Sequence, residues 1–276
     1  MKNNKTKYLA LKEVHEALTN ILAEFDRICR ENNLCYTIAY GTMIGAVRHK
    51  GFIPWDDDID VFMPRPDYER FYALVKSGEI KLSEHFLLSD DRGKHAYYAF
   101  TKLMDDRYRI KSWSHIEVPY LYIDIFPLDG APDNEKDMKK LRKRCLKYSA
   151  IGALARWAVP DKKWAILMRV FLFPFYLFGS IYGTARAARK ANYYAKKNDF
   201  NSCERCSLFN FEEVMGKWTM EREKFFDLVE LPFENINVYC ISAYDEWLTN
   251  FYGNYMQLPP ENKRITHGLK VRKVEN

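Results

Sequence analysis

Apolar positions recur along residues 6–32 at alternating steps of three and four, through Leu11, Val14, Leu18, Ile21, Phe25 and Ile28. That is the period of a helix with one buried face, and the Asn32-Asn33 pair ends it. A short β-rich run, "CYTIAY" (35–40), then reaches Gly41-Thr42, and "MIGAVRH" predicts about two helical turns with Thr42 as N-cap. Two later segments alternate with the period of strands. In "DIDVFM" (58–63), Ile59, Val61 and Met63 share one face and Asp58 and Asp60 the other; in "LYIDIF" (121–126), Leu121, Ile123 and Ile125 face one way and Asp124 the other. Each strand buries one side and presents acid on its opposite side. Between them, "RPDYERFYALVKSG" (65–78) predicts a helix closed by Gly78, and "YYAFTKLM" (97–104) a further strand. From 133 to 230 the pattern becomes helical, without a repeat, as expected of a lid or acceptor-binding layer on the sheet.

Composition adds a class and a compartment. The 276 residues are 47% hydrophobic and 16% aromatic, so the chain is neither disordered nor collagen-like. The net charge of +6 is concentrated in "KKLRKRCLK" (139–147) and "ARAARKANYYAKK" (185–197). Such blocks are most often solvated helix faces, with an anionic membrane surface or acidic partner as the alternative; no nucleic-acid partner is expected. Six cysteines lack a framework spacing, and the N-terminus lacks the apolar core of a signal peptide, so reduced thiols and a cytoplasmic location are expected. Cys203 and Cys206 form one CxxC, but with no second pair to complete a zinc set they read as ordinary thiols.

The run "WAILMRVFLFPFYLFGSIYG" (164–183) is interrupted by Arg169 and Pro174, and its charge-free part falls short of the ~20 residues of a spanning helix. An interfacial or substrate-facing hairpin, with residues 164–190 peripheral at the inner face of the plasma membrane, competes on equal terms with burial in the core.

The candidate chemistry lies in "GTMIGAVRHKGFIPWDDDID" (41–60), where Asp56, Asp57, Asp58 and Asp60 fall within five positions. Two carboxylates ~4 Å apart repel by about 1 kcal/mol even in bulk water, so the cluster either stays wet or holds a cation. Asp58 and Asp60 project from one strand face and can converge on a hard cation, and Asp124 joins them if the two strands are neighbours. Gly41-Thr42 opens a short helix whose free N–H groups suit a phosphate. A metal cluster opposite a phosphate cradle is the equipment of phosphoryl or nucleotidyl transfer. Arg48, His49 and Lys50 could hold a diphosphate, or simply offset the aspartates. Trp55 could stack on a base or pack in the core. Lys102, within a strand, could meet either the acids or a substrate phosphate, since lysine rarely points into a sheet unpaired.

Gly41-Thr42 followed by Asp58-Ile59-Asp60 resembles the signature of the nucleotidyltransferase fold. The longer string "GTMIGAVRHKGFIPWDDDIDVFMPRPDYERF" resembles the LicD family of bacterial phosphocholine transferases, distantly related to fukutin and fukutin-related protein. "DIFPLDG" (124–130) and "YDEWLTNFYGNYMQLPPENKRITHG" (244–268) extend the resemblance over most of the chain. It implies an α+β fold, a small mixed β-sheet covered by helices. Residues 1–132 would form the catalytic core and 133–276 a helical lid or acceptor-binding part with a C-terminal substrate loop, packed as one unit with the core. It implies transfer of phosphocholine, or a similar phosphoalcohol, from a CDP-linked donor to a sugar hydroxyl of a surface glycan or teichoic acid precursor, possible on a lipid carrier, with CMP released. Asp58, Asp60 and Asp124 would be catalytic and ligate Mg2+ or Mn2+, with Asp124 bridging a second cation or accepting the acceptor's proton. Gly41, Thr42, Arg48, His49, Lys50, Lys102, Arg264 and His267 would bind substrate, the last two from a loop suited to closing over a ligand. Transfer of NMP from a nucleoside triphosphate and a non-catalytic membrane-associated scaffold remain alternatives; a DxD glycosyltransferase would leave Gly41-Thr42 and Asp124 unexplained.

Overall fold

The amphipathic face read from the sequence becomes helix α1, Leu11–Glu31, which buries Val14, Leu18, Ile21, Leu22, Phe25 and Ile28. The computed structural model describes residues 7–89, 92–93, 96–111, 118–156, 165–209, 219–264, 266 and 268–274. Helix α1 starts at Leu11 rather than at residue 6 because the preceding backbone is extended and engaged elsewhere: Leu9 N–H donates to the Val271 carbonyl (2.8 Å). The Glu13 carboxylate accepts the Ala10 N–H (2.7 Å), satisfying one amide at the helix entrance.

The sheet is built from β1 (Thr37–Ile38), β2 (Asp60–Pro64), β3 (Phe86–Leu88), β4 (Thr101–Ile110), β5 (Tyr120–Ala131), β6 (Arg205–Ser207), β7 (Met220–Glu221) and β10 (Val271–Lys273). Its main path runs β1-β2-β5-β4-β10, with β3 beside β4, and β6 and β7 extending from the far part of β5. Strands β2 and β5 are parallel while the other pairs are antiparallel, so the sheet is mixed. A separate hairpin, β8 (Leu228–Phe233) and β9 (Ile236–Ile241), is tied to β1 by the Ile241 N–H donating to Thr37 Oγ1 (3.0 Å). The fold is thus α+β with a mixed sheet, as the nucleotidyltransferase-like resemblance implies. On the α1 side, Val61, Leu121, Ile123 and Ile125 are fully buried in one core with Leu18, Ile21 and Phe25.

Helix α2 spans Tyr40–His49 and α3 Arg65–Ser77, the latter closed as expected by Gly78 in the left-handed region. Three expectations need correction. Helix α2 begins three residues earlier than predicted, with Ala39 at its N-cap, so Thr42 lies inside the first turn. The strand expected over 97–104 begins only at Thr101, because the segment before it bends so that Ala96 and Ala99 pack on Ala188 and Ala191. The helical character expected over 133–230 holds for α4 (Glu135–Arg156), α5 (Ala165–Tyr182) and α6 (Thr184–Ala195), after which β6 returns to pair with β5. A local helical period cannot reveal that a three-residue strand will find an open edge farther up the chain.

Helices α4, α5 and α6 form an arm. Met138, Leu141 and Cys145 of α4 pack with Ala195 of α6 and Ala131 of β5 in a small core of their own. Helix α5 meets α4 at Gly179, where a Cβ would come within 2.9 Å of Ala155 N, so only glycine allows that approach. Among the described residues, no helix is long and apolar enough to cross a membrane. Helix α7 (Tyr244–Tyr252) buries Trp247 and Leu248 against the core.

Candidate active site

Parallel pairing of β2 with β5 sets Asp60 directly beside Asp124, and antiparallel pairing of β5 with β4 sets Asp124 beside Lys102. Residues in register across a sheet share a face. Asp60, Asp124 and Lys102 therefore form a row across three adjacent strands, on the face opposite Ile123 and Ile125. Lys102 is 2% exposed, donates to Asp124 Oδ1, and lies 3.6 Å from the centre of the Tyr122 ring and 4.6 Å from that of Tyr98. A lysine so enclosed is accommodated because a carboxylate and aromatic faces take the place of water around it.

The other aspartates approach from the loop between α2 and β2. Burial, then the charges of Asp58, Asp124 and Asp56, hold the Asp60 carboxyl well above the usual carboxylate range, with Lys102 opposing them. Burial also raises Asp124, outweighing the Lys102 charge and hydrogen bond that lower it. Asp56 is set against the start of α2: a Cβ on Gly41 would lie 2.5 Å from Asp56 Oδ2. An anion there faces the positive end of the helix dipole. The missing side chain of Gly41 thus makes room for a carboxylate of this chain. Tyr252, at the end of α7, has its phenol raised by burial and then by Asp60, Asp56 and Asp58. Asp56 and Tyr252 are neighbours of the site that the strand alternation did not single out; the glycine at 41 and the "YDEWLTNFYGNY" string were the signals available.

The loop carrying the acids is fastened at several points. Thr42 Oγ1 accepts the Asp60 N–H (3.0 Å), Asp57 Oδ2 accepts the Leu269 N–H (2.8 Å), and Glu234 Oε1 accepts the Phe52 N–H (3.0 Å). The His15 ring stacks on Phe52 at 3.9 Å, and its Nε2 hydrogen-bonds with the Asp56 carbonyl (2.7 Å). Thr42 therefore acts on the start of β2, from within the helix it was expected to cap. Gly45 allows the loop to fold back, since a Cβ there would collide with the Gly51 carbonyl.

The basic residues after α2 are placed differently. Arg48, His49 and Lys50 sit at its C-terminal end, ~9–12 Å along the axis from Thr42 at 1.5 Å per residue. Arg48 donates to the Tyr255 carbonyl (2.6 Å) and to His49 Nε2 (2.9 Å). Burial and then the Arg48 charge lower the His49 pKa below its usual 6.5, so this imidazole is neutral at pH 7. Lys50 is exposed at the helix C-cap. Arg264 does reach the acid loop, its guanidinium 5.1 Å from the centre of the Trp55 ring and its Nε bonded to the Pro259 carbonyl (3.0 Å). His267 lies outside the described residues.

A second ion pair fixes the strand ends beside this row. Arg65, at the start of α3, donates from Nε and Nη2 to the two oxygens of Asp129 on β5 (2.7 and 2.8 Å), and Asp129 is fully buried. Such fork-to-carboxylate bonding fixes direction as well as distance.

The sequence has counterparts among known proteins. A sequence model of the LicD/FKTN/FKRP nucleotidyltransferase domain matches residues 33–151, which hold Gly41, the four clustered aspartates, Lys102 and Asp124. The lipopolysaccharide cholinephosphotransferase LicD of Haemophilus influenzae is 32% identical over 276 residues, covering 96% of this chain and 98% of that protein. An uncharacterized protein of Rickettsia prowazekii is 42% identical over 109 residues, covering 33% of this chain and 36% of its own length. Because the likeness to the H. influenzae protein runs through nearly the whole of both chains, this chain belongs to the LicD family and is a transferase.

Proposed function

We propose that this chain moves phosphocholine from a CDP-linked donor to a sugar hydroxyl of a lipopolysaccharide or related surface glycan precursor, releasing CMP. The observation that carries the proposal is the Asp60-Asp124-Lys102 row, with Asp58 acting on Asp60 from the preceding loop and Asp56 at the start of α2. The similar H. influenzae protein bears the name of a cholinephosphotransferase acting on lipopolysaccharide.

Among the described residues, no three His, Cys, Asp or Glu side chains already stand as a ligand set. The donor chemistry nonetheless fits Mg2+ or Mn2+: the groups are hard carboxylate oxygens, and burial, then the neighbouring carboxylates, push the Asp60 carboxyl toward protonation. Asp58, Asp60 and Asp124 would hold the ion, which would supply charge neutralisation at the donor's diphosphate. The chain itself supplies position. Lys102 fixes one oxygen of Asp124, and Thr42 fixes the backbone of Asp60. In the reaction, the acceptor oxygen forms a bond to the phosphorus of phosphocholine, the bond from that phosphorus to the CMP oxygen breaks, and CMP leaves with the electron pair. The hydroxyl proton passes to a carboxylate, for which Asp124 is the candidate.

Incubation of the purified chain with CDP-choline, Mg2+ and a glycan acceptor should release CMP and label the acceptor with phosphocholine. Pyrophosphate released from CTP, with no CMP from CDP-choline, would instead identify nucleotidyl transfer.

A further inference from the structure

Helix α5 stands out from the molecule as an apolar rod. Phe173, Phe175, Tyr176, Leu177, Phe178 and Ile181 are between 38% and 74% exposed, and from 173 to 181 only Gly179 is buried. Nine consecutive helical residues cover all sides of a helix, at 3.6 per turn. A groove on a partner covers one stripe of such a helix, whereas a fluid apolar medium covers every side.

What surrounds the rod favours one medium. From Phe178 a ladder of rings runs along the arm: Tyr182 at 6.1 Å, then Tyr148 at 6.3 Å, Tyr194 at 5.5 Å and Tyr193 at 5.2 Å. Each tyrosine carries a cation. Arg186 lies 5.3 Å from the Tyr182 centre, Lys147 5.6 Å from Tyr148, Arg144 5.3 Å from Tyr194, and Lys190 and Lys197 5.7 and 5.3 Å from Tyr193. Apolar side chains bordered by tyrosines and then by cations reproduce, in order, the layers of an anionic bilayer surface: acyl chains, interface, headgroup charge. A second copy is a poorer occupant, because a two-fold contact through the rods would bring these cationic collars toward one another.

We propose that residues Phe173–Ile181 of α5 sink below the headgroups of an anionic membrane, with acyl chains covering the sides that α4 leaves open and the cations of α4 and α6 engaging lipid headgroups. This rests on the surface alone and stands apart from the reaction proposed above. It has a consequence for that reaction, because the arm connects directly to the acid site. Ala96 and Ala99 pack on Ala188 and Ala191 of α6, while Tyr98 and Phe100 in the same segment face the Lys102 ammonium. A docked arm would hold the carboxylates near the bilayer, where a lipid-carried acceptor lies.

Flotation of the full chain with vesicles of phosphatidylcholine alone, or with about a quarter phosphatidylglycerol, tests the proposal. The wild-type chain should float with the anionic vesicles at least about tenfold more than with the neutral ones, and high salt should diminish this. The double variant Phe175→Glu/Phe178→Glu should stay at the bottom of the gradient while keeping its melting temperature and its CMP release with a water-soluble acceptor. Lys147→Glu/Lys190→Glu should lose the preference for phosphatidylglycerol. The proposal is overturned if the wild-type chain floats with neither vesicle, if the double variant floats as the wild type does, or if sedimentation shows a dimer that the Phe175→Glu/Phe178→Glu change dissolves.

Discussion

The sheet around Asp60 and the arm around α5 break opposite rules of burial. In the sheet, charged side chains lie inside: Asp129 is fully buried, Lys102 nearly so, and Asp60 and Asp124 are half-buried. In the arm, large apolar side chains lie outside. Neither departure is free in energy. The sheet tolerates its charges where oppositely charged partners are hydrogen-bonded, as in Arg65–Asp129 and Lys102–Asp124, and leaves Asp60 held up by burial and by three neighbouring carboxylates, against the opposing charge of Lys102. Among the described residues, the rings of α5 from Phe173 to Phe178 are left exposed. Structural ion pairs can be recognised by their completeness, and sites for an outside ligand by what is left over.

That contrast can be broken most forcefully at Asp129. Replacing it with alanine strands the Arg65 guanidinium in the interior and should destabilise the fold by ~3–5 kcal/mol, read as a fall in the denaturation midpoint. An unchanged midpoint would mean that the pair is not buried as described. At Asp60 the signs should separate. Asp60→Asn should lower CMP release by at least ~10²-fold, about 2.7 kcal/mol, yet raise the melting temperature in the absence of divalent cation, because it removes one of the mutually repelling charges. Loss of both stability and activity would make Asp60 a structural residue.

A subtler effect lies in pH. The folded state holds the Asp60 carboxyl above the usual 3.8, so it binds the proton more tightly than the unfolded chain does. Stability therefore falls as pH rises from about 4 through the raised value, where the unfolded state loses its proton first. Cation-free wild-type protein should show this decline relative to Asp60→Asn, and Mg2+ should offset it, since only the ionised carboxylate binds the ion. Parallel pH curves for the two proteins would remove the argument for repulsion at this site. The smallest effect belongs to the arm: Phe175→Glu/Phe178→Glu should change stability by no more than ~0.5 kcal/mol per position in the absence of lipid. A larger loss would show that the rod is covered by protein.

Much of the site was legible before the structure. The period-two alternation placed Asp60 and Asp124 on the acid faces of two strands, and the 65–78 helix with its closing glycine follows from local rules; Asp58, expected on the first strand, instead lies in the loop before β2, which starts at Asp60. The one-to-one register that aligns Asp60, Asp124 and Lys102 was not legible, because pairing partners are chosen by packing across long loops, about which alternation says nothing. The same limit hid the Asp56 carboxylate against Gly41 and the bonding of Arg48 to a carbonyl two hundred residues away.

The sequence by itself determined which side chains each element presents and to which face, since helix and strand periods are properties of the local backbone. Tertiary structure alone decided which faces meet: that three strands bring two acids and a lysine into line, and that residues 173–178 of the apolar helix after α4 stay outside. Burial is a contest among all the elements for a limited interior, and no single segment carries its outcome.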